Sequence, residues 1–249
     1  MLNKRTIRLS TQAFTQRAAL DTAVSRAILQ RVSEGKEPET LRLFRPSAIV
    51  AFGPQDTRSP GYQQAVERAR SGGFQAVYRL AGGRAAVFHE ETIAFSLAIP
   101  DPEPRAGIHQ RFQELADIMA RAFRRLGVDA RIGEVPGEYC PGEYSVNTRG
   151  QKKLMGVGQR LTNAAAHVGG VVVVGQSQRV RDILVPVYHA LGIPWLPDTV
   201  GSLEDELGAV SYEQVQQAIL EEFAARYELV EGTLDGDLQI GRASCRERV

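Results

Sequence analysis

Apolar residues recur along this chain with two different periods. Between residues 17 and 31, Ala19, Leu20, Ala23, Val24, Ala27 and Ile28 fall on one helical face, which predicts an amphipathic opening helix. A longer helix is predicted over 107–126, where Ile108, Phe112, Leu115, Met119, Ala122 and Leu126 share a face and Gly127 supplies the stop. Strands are predicted at 41–45, 48–53, 75–80, 85–89, 92–100, 129–132, 144–147, 153–159 and 166–174, and further helices near 60–72, 177–191 and 211–227. The 166–174 run is apolar almost throughout, as expected of a strand covered on both faces. Strands come in clusters with helices between them, not in strict alternation, so the expected fold is a single α+β domain on a mixed sheet. No repeat of 20–50 residues and no Pro/Gly/Ser-rich linker divides it.

Charge and composition narrow the partners. The 249 residues carry 30 Lys+Arg against 29 Asp+Glu, a formal charge of +1, so no global field draws in nucleic acid or an anionic membrane. Apolar runs such as 171–174 fall far short of the roughly 20 residues that cross a bilayer. Lys4, Arg5 and Arg8 are followed by no apolar signal core, and the expectation is a soluble cytoplasmic protein with neither nucleic acid nor membrane as partner. Residues 240–249 lack any apolar period and look like one reading frame of a sequencing adaptor. The expected native domain is therefore 1–239, followed by a non-native tail. Setting Cys245 aside leaves Cys140 alone, which excludes an internal disulfide or a cysteine-based metal cluster. His89, His109, His167 and His189 lie on unrelated elements and suggest no metal site. No G-x-S-x-G elbow, P-loop, C-x-x-C or H-E-x-x-H pair is present.

Two segments could carry chemistry. Tyr78-Arg-Leu-Ala-Gly-Gly-Arg-Ala-Ala-Val-Phe-His89 reads as a strand entering a glycine turn and returning as a strand. Gly82 and Gly83 would let backbone N–H groups approach a ligand oxygen, with Arg79 and Arg84 supplying charge for a carboxylate or phosphate. A plain hairpin with solvated arginines and a satisfied His89 fits the same residues. The second segment, Gly137-Glu-Tyr-Cys-Pro-Gly-Glu-Tyr144, puts Cys140 in an accessible loop suited to a nucleophile, although an inert loop thiol fits as well. Glu138 and Glu143 would oppose ionisation of that thiol, so a nearby cation is required, and Lys152 or Lys153 is the candidate. On a strand these two lysines point to opposite faces, and only one can serve a pocket.

Taken in order, the segments resemble the lipoate-protein ligase and octanoyltransferase family, whose catalytic fold is shared with biotin protein ligases. The resemblance spans about residues 15–230: Ala19-Leu-Asp21, Val50-Ala-Phe-Gly53, Arg79-x-x-Gly-Gly-x-x-x-Val-Phe-His89, and Lys153-x-x-Gly156 with Gln159-Arg160 behind it. It implies a mixed, largely antiparallel sheet flanked by helices, and attachment of an octanoyl or lipoyl group to a lysine of a lipoyl domain. Tyr78, Ala81 and Arg84 depart from the family's second arginine, its Ser or Thr, and its third glycine, which weakens an ATP-using ligase. Cys140-Pro-Gly-Glu-Tyr144 is similar to the cysteine loop of the ligase-like octanoyltransferases. By that likeness Cys140 takes the acyl chain from a carrier thioester, and Lys153 stabilises the thiolate and the developing oxyanion. Gly82 and Gly83 would shape an acyl tunnel, Arg79 would hold the acyl head or the carrier's phosphopantetheine, and Gly156 and His89 would complete the substrate side. The implied donor is acyl carrier protein or another octanoylated carrier. The implied acceptor is a lipoyl domain, of the glycine cleavage H protein or a 2-oxoacid dehydrogenase E2, with no metal and no cofactor. Two alternatives stand beside it: a lipoate-protein ligase using ATP and Mg²⁺ with Lys153 on the adenylate, and a non-catalytic paralogue that only binds lipoyl domains or acyl groups. Biotin ligation is disfavoured, because the glycine-arginine-glycine phosphate loop of that branch is absent.

Overall fold

A computed structural model describes residues 4–15 and 18–234. In chain order its first half runs β1 (Arg5–Ser10), α1 (Leu20–Ser33), β2 (Thr40–Phe44), β3 (Ile49–Phe52), α2 (Tyr62–Ser71), β4 (Gln75–Tyr78), β5 (Ala86–Phe88), β6 (Thr92–Pro100) and α3 (Ile108–Arg125). The second half runs β7 (Ala130–Ile132), β8 (Val146–Thr148), β9 (Lys152–Leu161), β10 (Ala165–Val173), α4 (Ser177–Leu191), α5 (Leu203–Leu207), α6 (Tyr212–Arg226) and β11 (Tyr227–Glu231). An eight-stranded sheet has the order β11-β1-β2-β6-β10-β9-β8-β7. Only β11/β1 and β1/β2 pair in parallel; the other neighbours are antiparallel. A second sheet, β4-β3-β5, joins one parallel and one antiparallel pair. The mixed, mainly antiparallel sheet expected from the sequence is what forms.

Apolar stripes decide the layers. Leu115, Met119 and Phe123 of α3, with Val215, Ile219 and Phe223 of α6, bury one face of the large sheet. Complete burial of a side chain such as Phe123 contributes about 1.5–3 kcal/mol. On the opposite side, Val24 and Ile28 of α1 pack on Ala98 and Ala165. Helices α2 and α4 cover the small sheet through Val66, Val180 and Leu184 against Val50 and Phe52. The apolar β10 is buried on both faces: Val168 and Val172 join the α3 side, and Val173 joins the α4 side.

Two strands go beyond the sequence reading. In β1 and β11 a few apolar residues alternate with charged ones, and both gain their strand character by pairing with each other, Ile7 opposite Leu229. A short amphipathic segment carries no local sign of a parallel partner more than 200 residues away. Residues 240–249, read as an adaptor-derived tail, lie outside the described residues. Among the described residues no helix is long and apolar enough to cross a membrane.

Candidate functional site

The β4–β5 connection, residues 79–85, forms a glycine turn laid over β9. Gly82 N–H donates to the Gln159 carbonyl at 3.2 Å, and Gly83 adopts φ +111°, a conformation that L side chains rarely reach. The turn is bedded on other glycines. A Cβ built on Gly53 would lie 1.8 Å from the Gly83 carbonyl oxygen, and one on Gly158 would lie 2.8 Å from that of Gly82. Arg84 is anchored through Nη1 to Asp56 at 3.4 Å, and Asp56 also accepts the Gly53 N–H at 2.8 Å. Burial pushes the Asp56 carboxyl up, and those donors pull against it.

The β7–β8 connection brings the cysteine to this turn. Its shape is fixed by Glu138, whose buried carboxylate accepts from Val135 N–H at 3.1 Å, Gly142 N–H at 3.2 Å, the Ser145 hydroxyl at 2.6 Å and Lys153 Nζ at 2.8 Å. Lys153 Nζ also donates to the carbonyls of Tyr139 at 3.1 Å and Cys140 at 2.8 Å. An ammonium has three donors, and all three are used within the loop. Lys153 is the inward member of the lysine pair, 1% exposed, while Lys152 stays half-buried. Gly156 makes room for it: a Cβ there would sit 3.0 Å from Lys153 Cε. Cys140 adopts φ +43°, and the Tyr188 hydroxyl accepts its N–H at 2.9 Å.

The sulfur thus lies under the glycine turn. Cys140 Sγ accepts from Arg84 N–H at 3.2 Å and from Arg79 Nη1 at 3.4 Å, while the same Nη1 also donates to the Arg84 carbonyl at 2.7 Å. Burial raises the thiol pKa. The guanidinium of Arg79, the ammonium of Lys153 and the Arg84 N–H together outweigh that penalty, and the net shift is downward. A thiol in this setting is disposed to ionise.

Arg79 also lines a cleft between the turn, α1 and the large sheet, together with Leu80, Ala81, Phe44, Phe88 and Phe95. Its floor holds Ser96, Gly169 and His167. Burial, followed by the charges of Arg42 and Arg79, depresses the His167 pKa to about 4, so this ring is neutral near pH 7. At the far side Asp21 accepts from the buried Arg42 at 2.6 Å, and Arg42 in turn donates to the Ser25 hydroxyl at 2.8 Å. The opening-helix motif therefore supplies the ion pair beside the cleft.

Placement differs from expectation in several respects. The cation touching the sulfur is Arg79, whereas Lys153 meets the backbone carbonyl of Cys140 and acts on the thiol through space. Glu138, expected to oppose the thiolate, is saturated by donors and serves as the loop's anchor. Gly82 and Gly83 do not line the cleft; Leu80 and Ala81 of the same turn do, while Gly83 faces the sulfur. His89 is fully buried in the β5–β6 turn, where its Nδ1 accepts the Glu91 N–H at 3.1 Å. Burial and the Arg179 charge lower its pKa to about 4, and none of its hydrogen bonds reaches Cys140, Arg79 or Lys153. Asp56, His167 and Tyr188 were not singled out from sequence. Only the folded arrangement brings them to the site, and no motif marks them. Among the described residues no group of three or more His, Cys, Asp or Glu could hold a metal ion.

Comparison with known proteins follows the same outline. The family model for the lipoyl protein ligase A/B catalytic domain matches residues 17–224. An octanoyl-GcvH:protein N-octanoyltransferase of Geobacillus kaustophilus is 28% identical, over 68% of this chain and 60% of its own length. The chain thus spans less than two thirds of that relative. The octanoyltransferase LipM of Kyrpidia tusciae is 27% identical, over 93% of this chain and 88% of its own. Among solved structures, a lipoate-protein ligase A bound with ATP superposes with a TM-score of 0.76 at 19% identity, covering 96% of this chain and 93% of that one, a likeness of fold.

Proposed function

The chain belongs to the lipoyl protein ligase A/B catalytic-domain family, and on that premise we propose that it is an acyltransferase moving an octanoyl or lipoyl group onto a lysine of a lipoyl domain through an acyl-Cys140 thioester. The observation that carries this reading is the Cys140 sulfur held between the Arg84 N–H and the Arg79 guanidinium, with Arg79 also lining the apolar cleft. In the first step the thiolate attacks the carbonyl carbon of an octanoyl carrier thioester. The new C–Sγ bond forms, the carrier's C–S bond breaks, and the carrier thiol leaves after taking a proton from solvent. One thioester replaces another, so the activation of the acyl group is preserved. In the second step the neutral amine of the acceptor lysine attacks, C–Sγ breaks, Cys140 departs as thiolate, and an amide remains once the amine proton is lost to solvent. When the sulfur is acylated, the Arg84 N–H and Arg79 are freed to meet the oxyanion. Such a donor typically lowers a barrier by about 3–4 kcal/mol.

The donor in this reading is an octanoyl carrier such as acyl carrier protein. The acceptor is a lipoyl domain of the kind carried by the glycine cleavage H protein or 2-oxoacid dehydrogenase E2, and no cofactor is consumed. The names of the octanoyltransferase relatives support it. An ATP-dependent ligation fits the residues less well, because the three donors of Lys153 are committed to Glu138, Tyr139 and Cys140. The cysteine sulfur, moreover, sits against Gly83, only 2.9 Å from where a Cβ would be. The test is incubation of the purified chain with octanoyl carrier protein, followed by intact mass. An octanoyl adduct absent from Cys140→Ser is expected. No adduct, with lipoate plus ATP modifying a lipoyl domain instead, would replace the transferase by the ligase, and binding without either reaction would leave a carrier-binding paralogue.

A further inference from the structure

We propose that Tyr188 is a positioning residue for the Cys140 sulfur, its hydroxyl tying the cysteine loop to the returning limb of the glycine turn. The hydroxyl accepts the Cys140 N–H at 2.9 Å and donates to the Ala85 carbonyl at 2.9 Å. Ala85 follows Arg84, whose N–H is one of the two donors on Sγ. A single oxygen atom therefore sets the separation of the two segments that meet at the sulfur.

The need for such a tie is visible in the backbone. Cys140 stands at φ +43°, where a residue with a Cβ is disfavoured and persists only when its surroundings over-determine it. Both polar groups of its main chain are held by side chains, the N–H by Tyr188 and the carbonyl by Lys153. Tyr188 comes from the last turn of α4, is 1% exposed and packs on Trp195 at 5.3 Å between ring centroids, so its hydroxyl is delivered by a buried, well-packed ring. Burial, with the neighbouring cysteine charge behind it, holds the phenol well above its ordinary pKa, and the group stays a donor to Ala85 throughout the working range. Its hydroxyl is bonded to the Cys140 amide and the Ala85 carbonyl, so its hold on the sulfur runs through the cysteine backbone.

Tyr188→Phe keeps the ring and removes the oxygen. Two readouts test the proposal. In the first, the pH dependence of Cys140 alkylation by iodoacetamide is expected to move to higher pH, lowering the alkylation rate at pH 7 at least threefold. In the second, single-turnover acylation by octanoyl carrier protein is expected to fall at least tenfold in its maximal rate, with carrier KM unchanged. This readout alone rests on the acyl-transfer reading. A shifted alkylation profile in a protein that is never acylated would sink the transferase and leave the positioning role standing. An unmoved profile together with an unchanged maximal rate would overturn the role of Tyr188. Should the variant not fold, hydrogen exchange of the Cys140 amide in the unaltered chain decides. Protection at least a hundredfold over a free loop amide is expected, and exchange at the free rate refutes the tie.

Discussion

Replacing Lys153 by methionine tests whether the cysteine loop is held by its buried ion pair. Lys153 and Glu138 are 1% and 0% exposed at their side chains and 2.8 Å apart, so solvent screening does not discount the interaction. Removing one member of such a pair typically costs about 3–5 kcal/mol, because the remaining charge is left in a dry site. Glu138 would keep the Val135 and Gly142 amides and the Ser145 hydroxyl, which places the loss at the lower end, about 3 kcal/mol. Against a domain stability of about 5–15 kcal/mol, Lys153→Met stays folded but weakened. Urea unfolding of the unaltered chain, Lys153→Met, Glu138→Gln and the double variant closes a mutant cycle, with an expected coupling of about 2 kcal/mol. The lost ammonium also stops assisting the thiolate, and the alkylation profile of Cys140 moves to higher pH. A cost under about 1 kcal/mol with no coupling would refute the anchoring of the loop by this pair.

Three further outcomes are expected. Arg79→Gln removes the guanidinium from Sγ, so iodoacetamide reacts more slowly with Cys140 at pH 7 and acyl transfer falls about a hundredfold or more, read by single-turnover mass spectrometry. Gly83→Ala forces a Cβ to 2.9 Å from Sγ and 2.8 Å from Arg79 Nη1 at φ +111°, and both thermal stability and thiol reactivity are expected to drop. His89 and His167 have pKa values near 4, below the ordinary 6.5. The folded state therefore binds fewer protons than the unfolded chain, and their stabilisation is complete above pH 6.5 and lost as pH falls toward 4. For His167 this amounts to about 3 kcal/mol, and His167→Gln is expected to flatten the fall in unfolding free energy between pH 7 and pH 4.5.

What could be read from the chain alone followed from local signals. The α3 stripe and the apolar β10 run announce themselves because a helix or strand repeats its burial pattern within a few residues. Cys140 and Lys153 were visible as residue types in a loop and a strand only 13 positions apart. Arg79 stands 61 positions from Cys140 and Tyr188 stands 48, and nothing local sets those distances in space. Asp21 belongs to the opening-helix motif, but its partner Arg42 carries no local mark, and the two are joined only in the folded chain. What sequence does not show of Glu138 is its anchoring role, because its four donors arrive from Val135, Gly142, Ser145 and Lys153, and their convergence is a property of the folded loop.

The contact of Sγ with Arg79 and the Arg84 amide cuts both ways kinetically. A sulfur made comfortable as an anion strikes a carbonyl less eagerly, its nucleophilicity falling with its basicity along a slope of about 0.4–0.5, yet it departs more readily. On the acyl-transfer reading, the larger thiolate population near pH 7 more than offsets that loss in loading, unloading is hastened as well, and the loaded form is expected to be brief whenever an acceptor is at hand. Loosening the arginine forfeits both gains: loading slows with the thiolate population, and the sulfur leaves less readily from whatever is loaded.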